Sequence, residues 1–186
     1  MPELPEGYIF AEMTRDDIPA LIRVDRAAST LFEPTGLLDA EALDDHVPEE
    51  VFAGEMPKHN VFGIRDAYGR PVGFALVRER SGGLYLDQIS VDPAHGRQGL
   101  GRALMLRVIN EAESRRLPHV SLSTFRDLPW NGPFYASMGF KELARDKLEP
   151  YMREIEEAQK PYMDVTARCF MRRRVRRAPF WMKRSA

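Results

Sequence analysis

Residues 61–65 and again 72–78 are short, nearly continuous apolar runs that end on arginine, and turn residues bound both stretches. Short apolar runs with such punctuation predict strands. Asp66-Ala67-Tyr68-Gly69 joins them as a turn, and Ser81-Gly82-Gly83 turns the chain again. Residues 84–91 then complete a three-strand antiparallel meander. Upstream, residues 8–11 read as a short strand. Ile18, Leu21, Ile22 and Ala28 follow a helical period. Thr14 is placed to cap that helix, Asp16 and Asp17 suit its dipole, and Pro19 fits its first turn. Pro34 and Gly36 break the pattern. Asp39 is placed to cap a second helix through Ala42, Leu43 and Val47, and residues 56–60 read as a loop.

Downstream, Met105, Val108, Ile109 and Ala112 recur at helical spacing in a segment that opens after Gly99 and ends at Pro118. Residues 120–125 alternate as a strand, and 133–138 read as a short helix stopped at Gly139. Residues 142–159 are charged and helical in pattern, with Pro150 as a first-turn residue or a break. Residues 163–172 alternate weakly as a last strand. The predicted order is strand, two helices, three antiparallel strands, helix, strand, helix, strand. Short hairpins between the central strands exclude a doubly wound parallel fold and predict an α/β layered domain with a mixed sheet.

With 186 residues, 44% of them hydrophobic, the chain suits one domain with its own core. No run approaches the roughly 20 apolar residues of a membrane helix, so no membrane partner is expected. The opening MPELPEGYIF carries acids and prolines where a secretory signal has a basic flank and an apolar core. The single Cys169 excludes a disulfide framework and reads as a small buried hydrophobe on a strand; a reducing cytoplasmic location is the expectation. His46, His59, His95 and His119 show no metal-ligand spacing, so no metal is expected. His95 adjoins the glycine turn described next.

The chemistry concentrates in Leu84-Tyr-Leu-Asp-Gln-Ile-Ser-Val-Asp-Pro-Ala-His-Gly-Arg-Gln-Gly-Leu-Gly101. Gly96, Gly99 and Gly101 lie where a strand passes into a helix. Main-chain N–H groups and the helix dipole at such a turn suit a phosphate or pyrophosphate. Arg102-Ala103 follows where a P-loop requires Lys-Ser or Lys-Thr, and the glycine spacing is the reverse of a dinucleotide fingerprint. A plain tight connection is the competing explanation for the three glycines. A second motif, Trp130-Asn-Gly-Pro-Phe-Tyr-Ala-Ser-Met-Gly-Phe140, follows the next strand.

Together the two motifs resemble the GNAT superfamily of acetyl-CoA-dependent N-acetyltransferases. The first matches V-x-P-x-x-x-x-x-G-x-G, with Gly96 where the family usually has Arg or Gln and Arg97 beside it. The resemblance implies a mixed, mostly antiparallel sheet with helices on both faces, the acyl-CoA N-acyltransferase fold. It implies that the strand ending at Val91 splays from the strand over 120–125. The pantetheine arm of acetyl-CoA, the co-substrate, would lie between them against Ile89, Ser90 and Val91. The pyrophosphate would sit on amides of Gly96, Arg97, Gln98, Gly99, Leu100, Gly101 and Arg102. Asn131 would touch the cofactor arm, and Tyr135 would donate a proton to the departing thiolate. Asp87 would orient or deprotonate the amine, with Tyr85 beside it. Phe32 and Glu33 would line the acceptor pocket.

Elementary chemistry asks for the same functions. Acyl transfer to an amine develops an oxyanion, which needs preorganised donors. The amine must lose a proton to a base or a water chain. Each residue also has a structural alternative. Asp87 suits a loop-holding carboxylate, Tyr85 and Tyr135 suit packing, Asn131 suits a helix cap, and Glu33 suits a solvated loop.

Charge is uneven. Eight of the 27 basic residues lie within 168–186, which holds no acid, so the preceding 167 residues carry 19 bases against 28 acids. An acidic body favours cationic ligands. We therefore expect residues 1–172 to form an N-acetyltransferase acting on the primary amine of a small molecule. A protein acetyltransferase and a non-catalytic acyl-CoA sensor are the alternatives. Residues 173–186 read as a basic tail. It is too short, on too acidic a body, to make nucleic acid an expected partner, and Phe180 and Trp181 offer a contact for a homodimer.

Overall fold

The structure, a computed structural model, describes residues 3–175. Seven strands form one sheet: β1 (Ile9–Glu12), β2 (Val61–Arg65), β3 (Pro71–Arg80), β4 (Gly83–Val91), β5 (His119–Phe125), β6 (Lys141–Glu142) and β7 (Arg168–Arg174). Their spatial order is β1-β2-β3-β4-β5-β7-β6, and only the β4–β5 pair is parallel. The expected mixed, mostly antiparallel sheet is therefore present.

Six helices accompany it: α1 (Ile18–Ser29), α2 (Ala40–Asp44), α3 (Glu49–Glu55), α4 (Leu100–Ser114), α5 (Gly132–Ser137) and α6 (Pro150–Gln159). Alternation along the strands divides their packing between two faces. Ala75, Val77, Leu84, Leu86, Val120 and Leu122 join Leu104, Met105 and Val108 of α4 and Tyr135 and Met138 of α5. Phe74 and Leu76 turn the other way, onto Leu21 and Val24 of α1 and Phe52 of α3. Tyr85 and Phe170 lie against Met152 of α6 on that same second face. No helix among the described residues is long and apolar enough to cross a membrane.

The local signals explain most elements. Thr14 N–H donates to Asp17 Oδ2 at 2.8 Å, which closes a 3-10 turn over Arg15–Asp17 that leads into α1. Asp39 accepts from Ala42 N–H and starts α2 as expected, but that helix ends at Asp44. Pro48 begins a separate helix, α3, because its fixed φ suits a new start and not a continuation. The charged stretch 142–159 is helical only from Pro150, which stands at the first helical position. The last strand starts at Arg168 and takes in Arg173 and Arg174, so the basic run begins inside the sheet. Arg173 donates to Met138 O, and Arg172 pairs with Glu149 at 2.8 Å. Residues 176–186, with Phe180 and Trp181, lie outside the described residues. Cys169 is buried on β7, and burial pushes its thiol up to about 11.

Candidate active site

Two irregularities in β4 create the site. The first is a bulge. Leu76 of β3 lies opposite Gln88, whereas the next residue, Val77, lies opposite Leu86, which leaves Asp87 as the extra residue. The alternation slips there by one. Leu84 and Leu86 face α4 before the bulge, and Ile89 and Val91 face it afterwards. Asp87 therefore does not share a face with Ile89 and Val91, as an unbroken alternation through β4 would require. Asp87 lies on the Tyr85 side, the face of α1, α3 and α6.

The second irregularity is a parting of strands. Pairing of β4 with β5 covers only Leu84, Leu86 and the residue between them. Beyond it β4 stays on β3 and β5 stays on β7. Asp92 N–H donates to Val72 O at 2.9 Å, so by alternation the backbone groups of Ile89 and Val91 point away from β3, into the parting. Main-chain donors and acceptors left in that way call for a partner.

Ser90 points elsewhere, and its expected place beside the cofactor is corrected. It lies opposite Phe74, and its hydroxyl donates to Asp25 Oδ1 at 2.6 Å. Asp25, 1% exposed on α1, also accepts from Gln88 Nε2 at 2.7 Å and from Val47 N–H at 2.9 Å. This network ties the bulged half of β4 to α1.

The glycine turn follows. Asp92 accepts from Ala94 N–H and starts a tight turn over Pro93–His95. Arg97 and Gly99 both adopt left-handed backbone, with φ of 58° and 84°, and Gly99 is the N-cap of α4. Gly96 has ordinary φ, but a side chain there would press to 3.0 Å from Pro93 O. That crowding accounts for glycine where Arg or Gln is usual. Open space surrounds the Cβ positions of Gly99 and Gly101, so the N–H groups opening α4 can be approached closely. A cleft of about 350 Å³ lies beside them, lined by Gln98, Gly99 and Arg102 with Leu4 and Pro5. His95 Nδ1 is 2.9 Å from the Tyr8 hydroxyl, which anchors the turn. These features fit an acyl-CoA: a slot edged by main-chain groups leads to a helix N-terminus with small residues.

Asn131 stands at the N-cap of α5, yet its side chain makes no capping bond. Its amide is thus not spent on the helix. Gly132 follows because any Cβ there would overlap the backbone oxygen of Arg126. Gly132→Ala is expected to cost about 1–3 kcal/mol through this clash. Thermal unfolding would register it as a lowered midpoint. Tyr135, 7% exposed, is packed between Phe134 and Phe140, and no described residue bonds its hydroxyl. Burial raises its pKa, so the phenol stays protonated at neutral pH.

Asp87 is 22% exposed at the side chain. Arg78 Nε lies 3.3 Å from its Oδ2, an ion pair without hydrogen-bond geometry, so that buried oxygen has no hydrogen-bond partner. Arg78 is shared with Glu55 at 3.4 Å. Burial pushes the Asp87 carboxyl up to about 6, against the opposing pull of Arg78 and Arg80. Glu55 behaves differently. Burial would raise it, but hydrogen bonds from Asn60 and Lys58 and the charges of Lys58 and Arg78 hold it below its ordinary value.

The remaining acceptor-side residues separate. Phe32 stacks 5.6 Å from Phe125 and 6.2 Å from Trp130, forming an aromatic wall. Tyr85 is buried against Tyr151. Glu33 is exposed and bonds no described residue. Arg168, overlooked as part of a basic run, instead reaches over Phe125, 4.8 Å from the ring centroid, and donates to Ser123 Oγ. Its place opposite Phe125 at the start of β7 is the signal that distinguishes it. A larger cleft of about 590 Å³ lies beyond Arg78, walled by Lys58, Glu79, Arg80 and Arg115, and includes none of the residues at the strand parting.

The family model for the acetyltransferase (GNAT) family matches residues 26–140. A mycothiol acetyltransferase of Clavibacter michiganensis subsp. michiganensis (strain NCPPB 382) is 27% identical over 146 residues, which are 77% of this chain and 45% of that protein. The chain thus spans less than half of that relative's length. The ribosomal-protein-S18-alanine N-acetyltransferase of Escherichia coli shares the fold at a TM-score of 0.65 and 21% identity, over 93% of this chain and 97% of that one. The PaiA N-acetyltransferase of Thermoplasma acidophilum, solved with coenzyme A, aligns at a TM-score of 0.70 and 14% identity, over 90% and 98%.

Proposed function

The chain belongs to the GNAT acetyltransferase family, and from that premise we propose that it transfers an acetyl group from acetyl-CoA directly to the primary amine of a small molecule. The observation that carries this reading is the parting of β4 from β5 with the Ile89 and Val91 backbone turned into it, beside an open glycine turn. Ile89 and Val91 would hold the pantetheine arm, Asn131 would meet the same arm, and the N–H groups from Gly96 to Arg102 would take the pyrophosphate. The thioester supplies the acyl group and a thiol leaving group.

Asp87 serves as the base for the amine. Its carboxyl, raised to about 6, lies nearer an α-ammonium near 8 than an ordinary aspartate does, so less driving force is lost in proton transfer. Tyr135 gives a proton to the sulfur as it departs, a role suited to a phenol that burial keeps protonated. Phe32, Tyr85 and Glu33 belong to the acceptor side. Direct transfer requires no thiol nucleophile, and Cys169 is buried in the core.

Calorimetry with coenzyme A, followed by thiol release from acetyl-CoA with a panel of amines, tests the reading. The expected result is measurable association and amine-dependent release. Association without release would reassign the chain to a non-catalytic acyl-CoA sensor, and absence of association would overturn the reading altogether.

A further inference from the structure

Arg168 is a half-buried cation that lacks an acidic partner among the described residues. Several other arginines have one: Arg126 pairs with Glu142 at 3.1 Å, Arg172 with Glu149 at 2.8 Å and Arg145 with Glu156 at 2.8 Å. Arg168 has only a hydroxyl and a ring. Nε and Nη2 converge on Ser123 Oγ at 3.3 and 3.1 Å, and the guanidinium lies over Phe125. Ser123 and Phe125 belong to the part of β5 that β4 has left. Desolvating a guanidinium without an anion is costly, and five fixed donors are more than one hydroxyl can use.

The neighbours give this cation a context. Tyr85, two residues before the bulged Asp87, feels the charges of both Asp87 and Arg168. By register Tyr85 shares its face with Ser123 and Phe125, so this face carries the Asp87 carboxylate, whose buried oxygen lies by Arg78 without a hydrogen bond, and, where β4 has left β5, the guanidinium of Arg168. Phe32, Phe125 and exposed Trp130 provide an apolar wall beside the guanidinium. Anion, cation and apolar surface together are complementary to a zwitterion with an apolar substituent.

We propose that the acceptor is a free α-amino acid with an apolar or aromatic side chain. Arg168 receives its carboxylate, Asp87 its amine, and the Phe32–Phe125–Trp130 wall its side chain. This rests on the acetyltransferase reading above and narrows its acceptor. In the reaction the amine nitrogen bonds the acetyl carbon and the thioester C–S bond breaks. The ammonium gives one proton to Asp87 before attack; as the adduct collapses the nitrogen loses a second, which replaces the proton that Tyr135 gives to the departing sulfur. The raised Asp87 carboxyl agrees, since an α-ammonium near 8 is a closer proton donor than a lysine-like amine near 10.4.

The test compares L-phenylalanine with phenethylamine and L-phenylalaninamide, which keep the amine and ring but lack the carboxylate. The protein is expected to favour the acid in kcat/KM by about 10- to 100-fold, the range of a charge-assisted hydrogen bond. Arg168→Gln should bring that ratio close to one, with Arg168→Lys between. Thermal shift by N-acetyl-L-phenylalanine with coenzyme A present offers a readout free of turnover, expected for the natural sequence and lost in Arg168→Gln. Equal use of the amide or the amine by the natural sequence overturns the proposal and leaves the acetyltransferase reading intact. So does a preference that Arg168→Gln retains. Coenzyme A binding with no amine acetylated overturns both.

Discussion

Asp87→Asn is expected to lower kcat/KM for the amine by about 10²- to 10⁴-fold, the usual contribution of a positioned base. The natural sequence should show a rate that rises with pH through about 6, because the carboxyl must be ionised to accept a proton. In the variant that limb should vanish. Stability should move in the opposite direction. The folded protein holds this carboxyl at about 6 against its usual 3.8, so the folded state binds the proton more tightly than the unfolded chain. The associated stabilisation is present below about 3.8 and is lost as pH rises through about 6. Above pH 7 the ionised, partly desolvated group costs the fold on the order of 1–3 kcal/mol. Asparagine removes that cost, and Arg78 retains Glu55 at 3.4 Å. Thermal unfolding at pH 7.5 should therefore show a higher midpoint for the inactive variant. A purely structural Asp87 predicts a lower midpoint and an unchanged pH profile.

Tyr135→Phe is expected to lower kcat by about 10²-fold or more while leaving the affinity for coenzyme A close to its natural value. The discriminating power lies in the surroundings of the hydroxyl. No described residue bonds it, and burial penalises its ionisation. Removing it strands no partner, so stability should stay the same or rise slightly. The ring keeps its contacts with Phe134 and Phe140. Equal losses in kcat and in coenzyme A affinity, with a lowered unfolding midpoint, would make Tyr135 a packing residue. Stopped-flow thiol release beside equilibrium titration separates the two outcomes.

How much of this was legible in the sequence depended on whether the signal was local. The central meander was, because turn residues at Asp66–Gly69 and Ser81–Gly82 stop each apolar run where the chain reverses. So was α4, whose buried Met105, Val108, Ile109 and Ala112 keep the helical period. Helix α3 was not, since seven residues after Pro48 provide too few turns for a period to emerge. The bulge at Asp87 escaped for a different reason. Leu84, Leu86, Ile89 and Val91 are all apolar, so the slip between Leu86 and Ile89 resembles a continuous strand. Its cause is pairing with β3, a contact between distant positions. Ser90 was misplaced by the same blindness. Its partner Asp25 is 65 residues away. Arg168 was hidden by composition, since it shares a run with Arg172, Arg173 and Arg174 and only the register opposite Phe125 separates it from them.

The two faces of the sheet are unequally built, and this has a bearing on how such a chain diversifies. The face of α4 is one continuous core of 20 buried residues, so a change at any of them spreads through shared neighbours. The opposite face is divided into clusters of eight and four, with Asp87, Phe32 and Arg168 in neither. Substitutions in one of those two clusters are insulated from the other. A change in the wall of Phe32, Phe125 and Trp130 would leave undisturbed the core of the other face, the half that would grip the nucleotide thioester.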